Sequence, residues 1–251
     1  MKAVVLASGS KGNVTYIEHK GVRLLIDIGK SCSYIEKKLR EINVEPNTIN
    51  HILITHTHSD HINGIKTFTQ KYKPNIYITP IMENILNTYL NKPNYNYYNN
   101  ITIIDNINIE VIKTSHDSPG SVGFIIDEEL VYITDTGYIN EKYFNTLSNK
   151  SIYILESNHD IELLYNGRYP YHLKRRIAGD EGHLSNIDAS KYLSKFIGNK
   201  TKHIVLAHLS EENNTKEKAL NTYLNTVNNK DINIIIALQD ERTEVIEVWL
   251  K

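Results

Sequence analysis

Apolar residues near the start of the chain come in short runs separated by glycine-containing turns. Val4–Ala7, Val14–Glu18 and Val22–Asp27 are rich in aliphatic and β-branched residues, and this spacing predicts antiparallel hairpins. The first turn, Ser8-Gly9-Ser10-Lys11-Gly12-Asn13, has glycines that permit close approach of backbone to a ligand, although by itself it reads as a plain turn. From Ser31 the period changes. Ser31 suits an N-cap, Ile35, Leu39 and Ile42 share one helical face, and Pro46 ends the pattern, so a packing helix is expected to about Glu41.

His51–Thr55 is a short apolar run that leads straight into His56, and a helix is expected from about His61 to Tyr72. Ile76–Thr79 predicts another strand with a helix after Pro80, and Ile101–Lys113 alternates like hairpin strands. Farther on, Phe124–Ile126, Leu130–Thr134 and Ile152–Leu155 predict strands, the last two ending beside Asp135 and Glu156. Asp188–Phe196 predicts a helix, His203–Ala207 a strand ending at His208, and Ile232–Ala237 and Glu244–Trp249 closing strands. The sequence shows no internal repeat and no linker, and 251 residues suit one domain spanning 1–251.

Composition narrows the chemistry. Twenty-eight Lys and Arg against 29 Asp and Glu give a net charge of −1, so no global basic field draws the chain to a polyanion, and any such binding needs a local patch. Cys32 is the one cysteine, which excludes a disulfide framework and a thiolate metal cage. The run Met1–Ala7 is too short for a signal peptide or a membrane span, so a cytoplasmic protein without a membrane partner is expected. The tract Pro93–Asn100 holds three tyrosines among asparagines, either a stacking surface or a surface loop filled by biased composition.

His56-Thr57-His58-Ser59-Asp60-His61 places three imidazoles and a carboxylate within six residues at a strand-to-helix turn. Imidazole and carboxylate together suit Zn²⁺ or Mn²⁺, with Fe²⁺ also compatible. A two-metal site needs further donors from distant segments, including a carboxylate that bridges the cations, and the later strand ends offer such groups.

These motifs resemble the metallo-β-lactamase superfamily. The resemblance rests on Asp27, the His56–His61 cluster, His116 after Thr114-Ser115, Asp135 in Thr134-Asp135-Thr136-Gly137 and His208 in Leu206-Ala207-His208-Leu209-Ser210, in order along the chain. It implies an α+β fold, a four-layer αβ/βα sandwich, and two divalent metal ions at one sheet edge. His56, His58 and His116 would hold one metal and Asp60, His61 and His208 the other, with Asp135 bridging and Asp27 orienting ligands from behind.

Within the superfamily, Leu6–Asn13, Glu156-Ser157-Asn158-His159-Asp160, Tyr169–Ile177 and Gly182-His183-Leu184-Ser185-Asn186 resemble the YycJ/WalJ branch. That resemblance implies a cytoplasmic 5′-to-3′ exonuclease on double-stranded DNA that hydrolyses a phosphodiester through metal-bound hydroxide. Asp60, Glu156 and His183 would be its catalytic residues, His183 protonating the leaving 3′-oxygen. His172, Lys174, Arg175 and Arg176 form a tight basic cluster, either phosphate contacts or a solvated helix start. His159 and Asp160 are either an extra metal or phosphate site or a turn. The competing functions are a small-ester or thioester hydrolase of the same fold, an RNA-processing nuclease, an idle nucleic-acid-binding module, and a di-iron redox protein. Thr57 opposes the last, standing where that group has a ligating Glu. Oligomeric state is not legible in the sequence.

Overall fold

A computed structural model describes residues 1–227 and 231–249, which form two compact units. The first contains Met1–Val111, Ser118–Ser121 and the segment from Leu238; the second contains Ile112–Asp117 and Val122–Ala237.

In the first unit, β1 (Lys2–Ala7), β2 (Val14–His19) and β3 (Val22–Ile26) form the expected antiparallel meander, with Lys2 opposite Glu18 and Glu18 opposite Arg23. Helix α1 (Cys32–Arg40) starts where Ser31 Oγ accepts from Tyr34 N, and it buries Ile35 and Leu39. It leads to β4 (His51–Leu53), which runs parallel to β3. Then come α2 (Ser59–Ile62), α3 (Ile65–Tyr72), β5 (Asn75–Ile78), α4 (Glu83–Leu86) and β6 (Tyr95–Tyr97). Strands β4, β5 and β6 are mutually parallel neighbours.

Two sequence expectations change here for one reason. The strand expected to reach Thr55 stops at Leu53 because the Thr55 amide donates to the Asp27 carboxylate at 2.8 Å instead of to a ladder. The single helix expected over 61–72 is split at Asn63-Gly64, where Gly64 N donates to Ile28 O at 2.8 Å. A Cβ on Gly64 would lie 2.1 Å from Lys30 O, so glycine is required there. In both places the backbone gives up regular pairing to hold the Asp27 loop against the histidine turn. Within the tyrosine tract Tyr95 and Tyr97 pair beside Ile76 and Ile78 as β6, in keeping with the β propensity of tyrosine, and Tyr98, just past the strand, stacks on Tyr77 with ring centroids 6.4 Å apart.

The hairpin β7 (Ile101–Ile104) and β8 (Ile107–Lys113) alternates exposed and buried positions as expected, and the chain passes into the second unit within β8. There β9 (Val122–Ile126) pairs antiparallel with β10 (Leu130–Ile133). Strands β11 (Ile152–Glu156), β12 (His203–Ala207) and β13 (Asn233–Ile236) follow β10 in parallel register. Helices α5 (Phe144–Leu147), α6 (Ile161–Asn166), α7 (Tyr171–Ile177), α8 (Asn186–Phe196) and α9 (Lys216–Thr226) connect or flank them. One apolar core joins Val131, Ile133, Tyr153, Leu155, Ile204 and Leu206 of the strands to Leu193, Phe196, Ala219 and Tyr223 of α8 and α9. Burial on both faces explains why β10–β12 are nearly continuous apolar runs rather than alternating ones. The last strand, β14 (Ile246–Glu247), returns to pair with β1 and is shorter than the expected Glu244–Trp249. Among the described residues no helix is long and apolar enough to cross a membrane.

Candidate functional site

Each unit places polar side chains at the carboxyl ends of parallel strands, where loops rather than ladders receive the backbone hydrogen bonds. In the first unit β3 and β4 end side by side, Ile26 opposite Leu53, and deliver Asp27 and the His56 turn. Asp27 is fully buried at φ 59°. Its Oδ1 accepts from Thr55 N, and its Oδ2 accepts from Thr55 Oγ1 and from His61 Nδ1, each at 2.8 Å. Thr55 Oγ1, having donated to Asp27, accepts from His56 Nδ1 at 3.1 Å. One carboxylate therefore fixes two imidazoles, His61 directly and His56 through a hydroxyl, and both keep the proton on Nδ1. Their Nε2 atoms would then be the ones to hold a metal. Burial raises the Asp27 carboxyl above its usual range, against the pull of His61 and Thr55, so a cation nearby would favour its charged form.

The rings of His56 and His61 lie 3.9 Å apart and those of His56 and His58 4.8 Å apart. His61 Nε2 sits 3.4 Å from Asp60 Oδ2. Asn13 completes this cluster: its Nδ2 lies 3.0 Å from His61 Nε2 and 3.2 Å from Asp60 Oδ2, and its backbone N donates to Asp60 O at 2.8 Å. The opening glycine-rich turn is thus part of the site, which sequence reasoning missed. Its signal was present in glycines that admit close backbone packing. Gly29 opposes the same carbonyl so closely that a Cβ there would lie 1.6 Å from Asp60 O.

In the second unit β10, β11 and β12 end in register, Ile133 beside Leu155 and Glu156 beside Ala207, and present Asp135, Glu156 and His208 at adjacent positions. Asp135 and His208 have left-handed backbones, φ 54° and 55°. Non-glycine residues in that region store of the order of 1–3 kcal/mol and persist where the surroundings over-determine them. Glu156 is fully buried. Its Oε1 takes both His183 Nδ1 at 2.7 Å and His208 Nδ1 at 2.9 Å, and its Oε2 accepts from Thr136 N at 3.1 Å and Leu184 N at 3.2 Å. Burial opposes ionisation of Glu156, but the charge and hydrogen bond of His183 and the hydrogen bond of His208 outweigh it and hold the carboxyl below its usual range. The same pairing, working against burial, raises the His183 imidazole above its usual value. One carboxylate oxygen of Glu156 thus carries both His183 and His208.

His116 Nδ1 lies 3.2 Å from Gly182 O, a carbonyl that can only accept, so the ring carries its proton on Nδ1 and Nε2 would be the nitrogen to hold a metal. Asp135 Oδ1 lies 3.9 Å from His116 Nε2, 3.5 Å from His208 Nδ1 and 3.7 Å from His183 Nδ1. Donor atoms of Asp135, Glu156, His183 and His208 all fall within 4.8 Å of one another. His183 is set apart by exposure, its side chain 20% accessible while those of His116 and His208 are 2% and 4%. An imidazole whose protonated form is favoured by a buried carboxylate and whose ring is partly exposed is equipped to hand over a proton.

The remaining expected residues are used in different ways. His172, Arg175 and Arg176 are exposed on α7, whereas Lys174 Nζ donates to Tyr165 O and Gly167 O at 2.8 and 2.7 Å and caps the end of α6. Arg176 binds Asp117, whose other oxygen lies 3.5 Å from His116 Nε2, a link sequence reasoning did not foresee. Asp160 caps α6 through Leu163 N and pairs with Lys218 at 3.2 Å. His159 is buried, and burial lowers its imidazole to about 4, so it stays neutral near pH 7.

The donor set of His imidazoles and carboxylates, with tautomers fixed by acceptors behind them, fits a divalent metal and defines a metal-dependent hydrolase of the metallo-β-lactamase fold. Over 97% of this chain and 99% of its own, the Bacillus subtilis metallo-β-lactamase fold protein YhfI superposes with a TM-score of 0.72 at 16% identity. Residues 8–174 match the family model described as anti-Pycsar protein Apyc1. The exodeoxyribonuclease WalJ of Streptococcus pneumoniae is 39% identical over 245 residues, covering 93% of this chain and 90% of that protein. The exodeoxyribonuclease YycJ of Bacillus anthracis is 35% identical over 223 residues, covering 86% and 84%. The chain belongs to the WalJ/YycJ family.

Proposed function

We propose that this chain is a dinuclear-metal phosphodiesterase that removes nucleotides from DNA ends, the activity for which its WalJ and YycJ relatives are named. The observation that carries the reading is the double use of Glu156. One oxygen holds His208 with Nε2 turned outward as a ligand and holds His183 as a charged, solvent-reaching imidazole, so a metal donor and a proton donor are built on one buried carboxylate.

On this reading His56, His58 and His116 hold one divalent metal and Asp60, His61 and His208 the other, with Asp135 shared and Asp27 fixing His56 and His61. Zn²⁺ or Mn²⁺ suits these donors, and Fe²⁺ is compatible. When bound, the metals supply Lewis-acid polarisation of a phosphoryl oxygen and an activated water. The protein supplies orientation and the proton. Asp27, Gly182 O and Glu156 lock the imidazoles, Asp60 orients the attacking side of the site, and His183 protonates the departing 3′-oxygen, an alkoxide that leaves poorly without it. His172 and Arg175, exposed on α7, offer sequence-independent phosphate contacts, and Arg176 joins them where it leaves Asp117; the ammonium of Lys174 is taken up by Tyr165 O and Gly167 O.

Metal analysis of purified protein tests this. The wild type is expected to carry close to two divalent ions per chain, and His58→Ala and Asp135→Ala each to lose metal together with turnover. Full metal content and normal turnover in both variants would refute the assignment.

A further inference from the structure

Beyond Asp135 the chain presents Tyr138, 42% exposed, on the surface of the second unit. Its side borders two cavities. The smaller, about 140 Å³, is lined by Tyr138, Tyr143, Lys113, Lys142 and short polar residues, with no carboxylate among them. The larger, about 410 Å³, sets Tyr138 opposite Phe144, Tyr192 and Lys195, with Glu141 as its acidic residue. Lys142 Nζ lies 4.8 Å over the ring of Tyr143 and Lys195 Nζ 5.0 Å over that of Phe144, so aromatic rings and ammonium groups alternate along this face.

Thr136 ties the face to the reaction residues. Its N donates to Glu156 Oε2 at 3.1 Å, its Oγ1 accepts from Ser115 N at 3.0 Å, and the same hydroxyl donates to Tyr138 O at 2.7 Å. Thr136 follows Asp135 and Ser115 precedes His116, so one side chain sets the position of two expected metal ligands and of the Tyr138 turn.

We propose that this face is a strand-binding subsite. Tyr138 stacks on a nucleobase, and Lys113 and Lys142 contact the phosphates that flank it, next to the end being hydrolysed. The proposal rests on the exodeoxyribonuclease reading and names where that substrate lies. An exposed ring beside ammonium groups, without a competing carboxylate in the smaller cavity, is what a single strand of nucleic acid requires: every base has a stacking face and every linkage an anion. With a net charge of only −1 on the whole chain, such local patches must supply the attraction.

The test is fluorescence-anisotropy binding of the metal-loaded enzyme to a labelled phosphorothioate single strand that resists cleavage. Tyr138→Ala is expected to raise Kd roughly five- to hundredfold and Tyr138→Phe to leave it within about twofold, since stacking needs the ring and not the hydroxyl. An oligonucleotide with abasic positions should bind the wild type more weakly yet cost Tyr138→Ala nothing further. Lys113→Ala with Lys142→Ala, both on exposed positions, should flatten the dependence of log Kd on log salt by about 0.7 per lost contact. If both variants bind as the wild type does while still hydrolysing end-labelled DNA, the subsite is wrong and the exonuclease reading stands. If the metal-loaded wild type neither binds nor hydrolyses DNA, the reading beneath the proposal fails as well.

Discussion

Glu156 and His183 form the pair to which the proposed proton transfer is assigned, and their shifts have opposite signs. His183 is raised above its ordinary 6.5, so the stability this pair contributes through His183 is complete below that value and is lost as pH rises through the folded value. Glu156 is lowered from its ordinary 4.5, so its contribution is present above that value and is lost as pH falls through the folded one. For catalysis the alkaline side matters, because a general acid must keep its proton. Glu156→Gln removes the charge that holds His183 protonated, and burial then dominates. The alkaline limb of the rate profile is expected to move to lower pH, and an unmoved limb would show that another group titrates there. His183→Ala is expected to retain its metals and lose roughly 10²–10⁴ in rate on DNA. A nitrophenyl phosphodiester, whose leaving group departs without a proton, should suffer far less. Equal losses on the two substrates, or loss of metal, would make His183 a ligand or a positioning residue. At this scale the sequence showed the donor types and their order. It did not show Asn13 on His61 and Asp60, the shared oxygen of Glu156, or the left-handed backbones at Asp27, Asp135 and His208, because each depends on a segment distant in the chain.

At the scale of elements, β1, β2, β3 and β12 were legible within a residue or two, since apolar runs bounded by turns define them. Two of the departures lie beside the site. The strand before His56 and the helix after it end early because their backbone groups serve Asp27, Ile28 and Asn13. Glycine governs the corresponding loop of the second unit. Gly137 N donates to Ser115 O at 2.9 Å, and a Cβ on Gly137 would lie 2.2 Å from Asp180 O and 2.4 Å from Gly179 O. That segment leads to Gly182, whose carbonyl holds His116, and to His183. Gly137→Ala must therefore displace backbone rather than a flexible side chain. Overpacking of this kind costs about 1–3 kcal/mol. For a chain of this size that corresponds to a fall in Tm of roughly 2–12 °C, with turnover reduced because His116 and His183 move together. A variant with wild-type Tm and wild-type rate would show that the 179–183 segment shifts without consequence.

For the molecule as a whole, a net charge of −1 leaves any attraction to nucleic acid to local patches, and a single cysteine points to histidine and carboxylate as the metal donors. Which polyanion reaches the site depends on local surfaces, and neither the basic face of α7 nor the Tyr138 face follows from composition. On the proposed reading, bound metal lets this protein hydrolyse DNA from an end. The most direct measurement follows label release from 5′-labelled and 3′-labelled double-stranded DNA, using protein stripped of metal and then restored with Mn²⁺ or Zn²⁺. Early release of mononucleotide from the 5′ label, only after metal is restored and not with His58→Ala, is the predicted result. Intact DNA in the presence of fully metal-loaded protein that hydrolyses a lactone instead would contradict it.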